Sequence, residues 1–160
     1  MQHWLMKSEP AECSIDDLAR APGRRLAWTG VRNYQARNFI RDTMEVGDDV
    51  LFYHSSCAEP GIAGLARIAG PAAADSTQFD PSNSYHDPKS TPAAPRWLQI
   101  DVALVRKTRL LSLTEMRQAP ELSTMRVLQR GSRLSITPVR DAEWMAVLAR
   151  LEACAAWGRS

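Results

Sequence analysis

The chain has 160 residues, 44% of them apolar and 24% charged, with a formal charge of +2. That size fits one ordinary domain, 1–160, which can bury a core without disulfides or a structural metal. No run is apolar for the roughly 18 residues a membrane span needs, and the first ten residues lack the basic start and apolar stretch of a signal peptide, so neither membrane nor export is expected. The three cysteines, Cys13, Cys57 and Cys154, are scattered outside any CxxC pattern. A disulfide framework and a zinc knuckle are both unexpected, and a reducing, cytoplasmic location is the natural one.

Taken in chain order, residues 3–7 form a short apolar stretch stopped by Ser8-Glu9-Pro10, which predicts a first strand ending in a turn. Ser14-Ile-Asp-Asp17 has capping-box spacing, with Ile15 and Leu18 as a short buried stripe, and predicts a helix ending by Pro22-Gly23. Trp28-Thr29-Gly30 reads as a turn. Asn33 caps a second helix that carries Ala36, Phe39 and Ile40 inward and points Arg37 and Arg41 to one side. Residues 46–49 are turn chemistry, residues 50–54 a buried strand and residues 62–68 a second strand of a meander. From Pro71 to Pro95 a proline-rich segment predicts a long ordered or half-ordered loop, too long for a passive connector.

Residues 97–105 alternate Leu98, Ile100, Val102 and Leu104 against Trp97, Gln99 and Asp101, the signature of a strand with one buried face. Ser112-Leu-Thr-Glu115 opens a short helix that Pro120 ends. Residues 133–138 give a last short strand, and residues 141–156 repeat Trp144, Val147, Leu148, Leu151 and Ala155 as an amphipathic helix. The expected architecture is α+β: a small, curved, mostly antiparallel sheet or barrel of five to six strands, edged by short helices and closed by the C-terminal amphipathic helix.

Charge is distributed unevenly. Six arginines and no acid lie between Arg20 and Arg41, while acids gather at 12–17, 42–49 and 141–152. Within the basic stretch, Trp28, Arg32, Asn33, Tyr34, Arg37 and Asn38 interleave guanidinium, amide and aromatic groups. Arginine binds phosphate, aromatic faces stack on bases and Asn reads a base edge. The competing reading makes the aromatics core and the arginines a solvated face. Lys7-Ser8-Glu9 at a strand end is either a plain turn or a cation, hydroxyl and carboxylate sharing a cleft. His54 with Ser55 suits a polar pocket wall better than a Cys57 nucleophile pair or a metal site, since His3 and His86 are isolated in sequence. Phe79 and Tyr85 either anchor the long loop or close over a ligand.

Together, Trp4-Leu-Met-Lys-Ser-Glu-Pro10, Ser14-Ile-Asp-Asp-Leu18, Trp28-x-Gly-Val-Arg-Asn-Tyr-Gln-Ala-Arg-Asn38, Phe52-Tyr-His-Ser55, Pro60-Gly-Ile-Ala-Gly64 and Thr77-Gln-Phe-Asp80 closely resemble the EVE domain family. Pro95-Arg-Trp97, Asp101-Val and Arg133-Leu-Ser135 continue the match over nearly the whole chain. The resemblance implies a PUA-like fold related to YTH and ASCH domains, and a non-catalytic domain that binds DNA or RNA carrying a modified base, with modified cytosine in DNA favoured. No cofactor or metal is expected, and a monomer in the cytoplasm or at the nucleoid is the expectation. By that analogy Trp28 and Tyr34 stack on the base, Asn33, Ser8, Glu9 and Ser55 meet its edge, and Arg32, Arg37 and Arg133 hold phosphate. Lys7 and His54 complete the cleft. The alternatives are an ASCH-type amidohydrolase using Lys7, Ser8 and Glu9, or a nucleoside or metabolite sensor. Thr29, Ser56 and Arg140 depart from residues common in the family; the first two lie at the expected pocket rim and the third before the last helix.

Overall fold

The computed structural model describes residues 1–157, without the side chains of 153–157, so the place of Ala155 on the last helix lies outside the described residues. Its framework is one sheet with strand order β2-β6-β4-β3-β1-β7: β1 (His3–Ser8), β2 (Arg25–Trp28), β3 (Asp49–His54), β4 (Gly61–Ile68), β6 (Leu98–Ser112) and β7 (Ile136–Val139). A two-residue strand, β5 (Ala73–Ala74), pairs with β6 off this path. The order leaves β2 and β7 as edges, so the sheet is open where a closed barrel was one expectation. All ladders are antiparallel except β1 with β3, whose crossover runs through α1 (Ile15–Arg20), β2 and α2 (Tyr34–Asp42).

The central strands lack polar alternation because both of their faces are covered. Trp4, Met6, Val50 and Phe52 pack with Ile15, Leu18, Trp28, Ile40, Ile100 and Val102 beneath α1 and α2. Leu5, Leu51, Tyr53 and Ile62 face the other way, joining Met116, Leu122, Trp144, Val147 and Leu151 from α3 (Leu113–Arg117), the following turn and α4 (Asp141–Trp157). Consecutive residues of β1 and β3 therefore enter opposite cores, which produces the short continuous apolar runs read as strands.

The caps are largely those the sequence predicts. Ser14 closes a full capping box with Asp17, and the Asn33 side chain accepts from the backbone N–H groups of Gln35 and Ala36. Ser112 caps α3, but Glu115 turns its carboxylate to Arg109 at 2.9 Å rather than back to the cap. Before α4, where Arg140 offers no capping hydroxyl, the buried Glu143 carboxylate accepts the Arg140 N–H at 2.8 Å and the Thr124 hydroxyl at 2.6 Å. Pro138 sits in β7, a position an edge strand tolerates.

Three expectations need correction. Arg25–Trp28 is a strand rather than only the approach to a turn; its Arg25 side chain pairs with Asp101 across the β2–β6 ladder. Strand β6 runs on to Ser112, because its polar second half bends along β4 through register shifts. Trp97, placed by alternation on the polar side, is buried because it precedes the strand and is covered by other residues.

Candidate functional site

The carboxyl ends of the parallel pair β1 and β3 lie side by side, Ser8 opposite His54, and the Ser55 N–H donates to the Ser8 carbonyl at 2.9 Å. At this end a pocket of about 710 Å³ opens between the two strand ends, β2 and the long loop, a volume ordinary for a small-ligand site. Of the residues singled out from sequence, it gathers Lys7, Ser8, Glu9, Trp28, Ser55 and Arg133. It also gathers Glu12, Thr29, Gly30, Thr77, Asn83 and Tyr85, among others.

Trp28 forms an apolar wall. Its indole is buried and packs edge-on to Phe52, with ring centroids 5.3 Å apart, so the core holds the ring in one orientation. Tyr85, delivered by the long loop, forms a second wall. Its hydroxyl donates to the Glu12 carboxylate at 2.7 Å. Burial, reinforced by that carboxylate, pushes the phenol up to about 12, so it stays protonated. Gly30 has φ +82°, and a Cβ there would lie 2.8 Å from the Tyr85 ring. Only glycine lets the loop approach β2 this closely.

The long loop is ordered by buried polar groups. Gln78 donates to the carbonyls of Asp75 and Trp97 and accepts from the N–H groups of Arg96 and Trp97. Asp75, with its side chain fully buried, accepts from Gly30 N–H at 2.8 Å, Thr77 N–H at 2.7 Å and the Arg32 guanidinium at 3.1 Å. Burial alone would raise the Asp75 carboxyl; the bonds from Thr77, Gly30 and Arg32 outweigh it and hold the group below its ordinary value. Asp75 is thus the tie between the two walls.

The remaining sequence candidates stand outside the cavity. Arg32 binds Val31 O, Asp75, Thr77 Oγ1 and, twice, Tyr85 O, which occupies its donors on protein. In this arrangement it is a strut that holds the loop. Arg37 likewise reaches the Arg96 carbonyl and the Asn38 side chain. Tyr34 is half exposed on α2, already stacked on Trp97 at 4.8 Å with the Arg37 guanidinium 4.8 Å from its ring centre. Asn33 spends its carbonyl on the helix cap. His54 Nε2 accepts the Ile15 N–H at 3.1 Å, which binds β3 to the start of α1; burial lowers its pKa, in keeping with a neutral imidazole. Cys57 is exposed nearby but the His54 acceptor nitrogen is turned to α1.

Within the cavity, Ser8 Oγ donates to the Cys13 carbonyl at 2.7 Å. Burial draws the Lys7 ammonium down from its usual value and pushes the Cys13 thiol up, with the Asp17 charge adding to the latter. The lining therefore offers one ring face, a phenol, a half-buried cation, carboxylates and small hydroxyls, a set suited to sandwiching a flat heterocycle and bonding its edge. Glu12 and Asn83 were not singled out in sequence; Thr77 entered only within the family motif, and Tyr85 as an aromatic among turn residues.

An open mixed sheet of this order, covered by helices on both faces and hollowed at one end, defines a PUA-like domain. The EVE domain model matches residues 2–150, and the chain belongs to that family. It is 43% identical to human thymocyte nuclear protein 1, across 91% of this chain and 72% of that protein. Among solved structures, a Pseudomonas putida protein is 49% identical with TM-score 0.87, covering 92% of this chain and 97% of that one. The human THYN1 protein in complex with 5-methylcytosine-containing DNA is 42% identical with TM-score 0.88, covering 95% and 98%. An ASCH protein of Zymomonas mobilis, 10% identical with TM-score 0.52, shares the fold alone.

Proposed function

We propose that this chain is a non-catalytic domain that reads a modified base, methylated cytosine in DNA ahead of others, by admitting the extruded base to the pocket between Trp28 and Tyr85. The observation that carries the reading is the half-open pocket itself, bounded by a rigid indole and a loop-borne phenol. The relative seen with 5-methylcytosine-containing DNA supports the choice of ligand. Extrusion costs a few kcal/mol, and stacking on an aromatic face returns about 1 to 3 kcal/mol. In this reading Trp28 stacks on the base and bounds the space for a methyl group, while Lys7, Ser8, Glu9 and Ser55 meet the edge. The domain acts as one copy, inside the cell with the nucleic acid it reads.

A hydrolytic role would have Glu9 act as base for a water or for Ser8; the Ser8 hydroxyl already donates to the Cys13 carbonyl, which disfavours the second route. The test is a binding array of single- and double-stranded oligonucleotides with plain, methylated and hydroxymethylated cytosine and methylated adenine. Tighter binding of one cytosine modification, lost in Trp28→Ala, is expected. Equal affinity for plain and modified strands would sink the base-reading function, and turnover of an acylated nucleoside above a Glu9→Gln control would favour the hydrolase.

A further inference from the structure

The pocket does not supply a phosphate grip. Its charged lining is Lys7 and Arg133 against Glu9 and Glu12, with no net charge. In the basic run at 20–41, five of the six arginines are engaged by other groups of the protein, three of them at its surface, and the exposed Arg24 side chain is the one without a partner among the described residues. Arg20, Arg25 and Arg41 pair with Asp17, Asp101 and Asp42, and Arg32 and Arg37 are bonded as described.

A second acid-free run, residues 122–140, carries Arg126, Arg130, Arg133 and Arg140. All four are exposed, and among the described residues no ion pair or hydrogen bond engages their guanidinium groups; Arg140 lies beyond the turn, just before the last helix. The nearest acids in sequence are occupied elsewhere: Glu121 pairs with Arg150, and Glu143 caps α4. Arg126 opens a single 3-10 turn, Arg126–Leu128, whose Val127 is buried. Gln129 pins the next turn by donating to the carbonyls of Ser123 and Met125, and Gly131 at φ +77° reverses the chain so that Ser132 N–H reaches Gln129 O at 3.2 Å. Arg133, just after the reversal, lines the pocket mouth. Three uncompensated guanidinium groups thus ride on an anchored turn that ends at the pocket, and guanidinium forks match phosphate oxygens.

We propose that the turn carrying Arg126, Arg130 and Arg133 grips the backbone phosphates flanking the bound base, an inference that rests on the base-reading function above. The grip is electrostatic and blind to the base. It sets affinity and salt dependence, while the pocket sets preference.

The experiment measures Kd by fluorescence polarisation over a series of NaCl concentrations, using one DNA duplex with and without a single 5-methylcytosine. The proteins are wild type, R126Q/R130Q and, as control, R67Q, an exposed arginine at the opposite end of the sheet where β4 meets Asp49. The double variant is expected to weaken binding equally on both duplexes and to flatten the slope of log Kd against log salt by roughly 1.8. The methylation preference and the R67Q slope stay at wild-type values. An unchanged slope in R126Q/R130Q, or an equal drop in R67Q, overturns the phosphate turn whatever the pocket reads. Equal binding of the two duplexes by wild type removes base reading yet leaves the slope comparison intact. Binding of neither duplex overturns both.

Discussion

Replacing Asp75 by asparagine cuts the tie between the two walls of the pocket. The buried carboxylate accepts from Gly30 N–H, the Arg32 guanidinium and both the N–H and hydroxyl of Thr77. Asparagine keeps one acceptor oxygen and turns an NH₂ group toward these donors. Removing one partner of a buried ion pair costs about 3 to 5 kcal/mol. Arg32 retains some exposure and its bonds to Val31, Thr77 and Tyr85, which favours the lower end, near ~3 kcal/mol. In a protein of this size that lowers Tm by roughly 6 to 12 °C. Urea unfolding followed by tryptophan fluorescence measures it, and R32Q/D75N completes the cycle. Because the double variant leaves no buried charge unpaired, it should be about 2 kcal/mol more stable than the sum of the single losses implies. The folded carboxyl lies below its ordinary value, so the stabilisation is full above that value and fades as pH falls through the folded pKa; D75N should lack this loss. A D75N protein within about 0.5 kcal/mol of wild type, or strict additivity in the cycle, would refute the role given to Asp75.

Further outcomes follow from other contacts. His54 has a depressed pKa, so the unfolded chain takes up protons that the folded one refuses, and stability falls as pH drops below the ordinary histidine value, by at most ~1.4 kcal/mol per pH unit. His54→Gln, whose carbonyl can accept the Ile15 N–H without titrating, should reduce that slope in chemical melts; identical slopes would contradict the assignment. Gly30→Ala meets both a positive φ and the Tyr85 ring, and should cost about 1 to 3 kcal/mol while weakening oligonucleotide binding. An alanine variant that melts and binds as wild type would show that the approach of loop to strand is not tight. Glu143→Ala strands the Arg140 N–H and the Thr124 hydroxyl, and calorimetry should register a loss of about 1 to 2 kcal/mol; no change in Tm would mean that the Glu143 cap is dispensable.

Much of the scaffold was legible because it rests on short-range rules. The Ser14 and Asn33 caps, the run of β1 and the apolar stripe of Trp144, Val147 and Leu151 each depend on residues within a few positions of one another. Strand β2 was missed because four residues with two partly exposed apolar side chains carry almost no period; only pairing with β6 makes them a strand. The site was half legible for the same reason. Strand ends could be read as meeting places, and Lys7, Ser8, Glu9, Trp28, Ser55 and Arg133 do line one pocket. That Arg32 is a strut depends on Asp75, forty-three positions away, and one face of the half-exposed Tyr34 is taken by a stack with Trp97, sixty-three positions on, contacts no local pattern discloses.

The most direct test of base reading is an NMR titration of the protein with DNA bearing a single 5-methylcytosine, following the five indole N–H signals and the labelled tyrosines. Base reading predicts that the Trp28 and Tyr85 signals shift with the methylated strand and much less with the plain one, while the Trp4 indole, bonded to Asp48 in the core, stays in place. Shifts confined to Tyr34 and Trp97, or identical shifts with both strands, would contradict it.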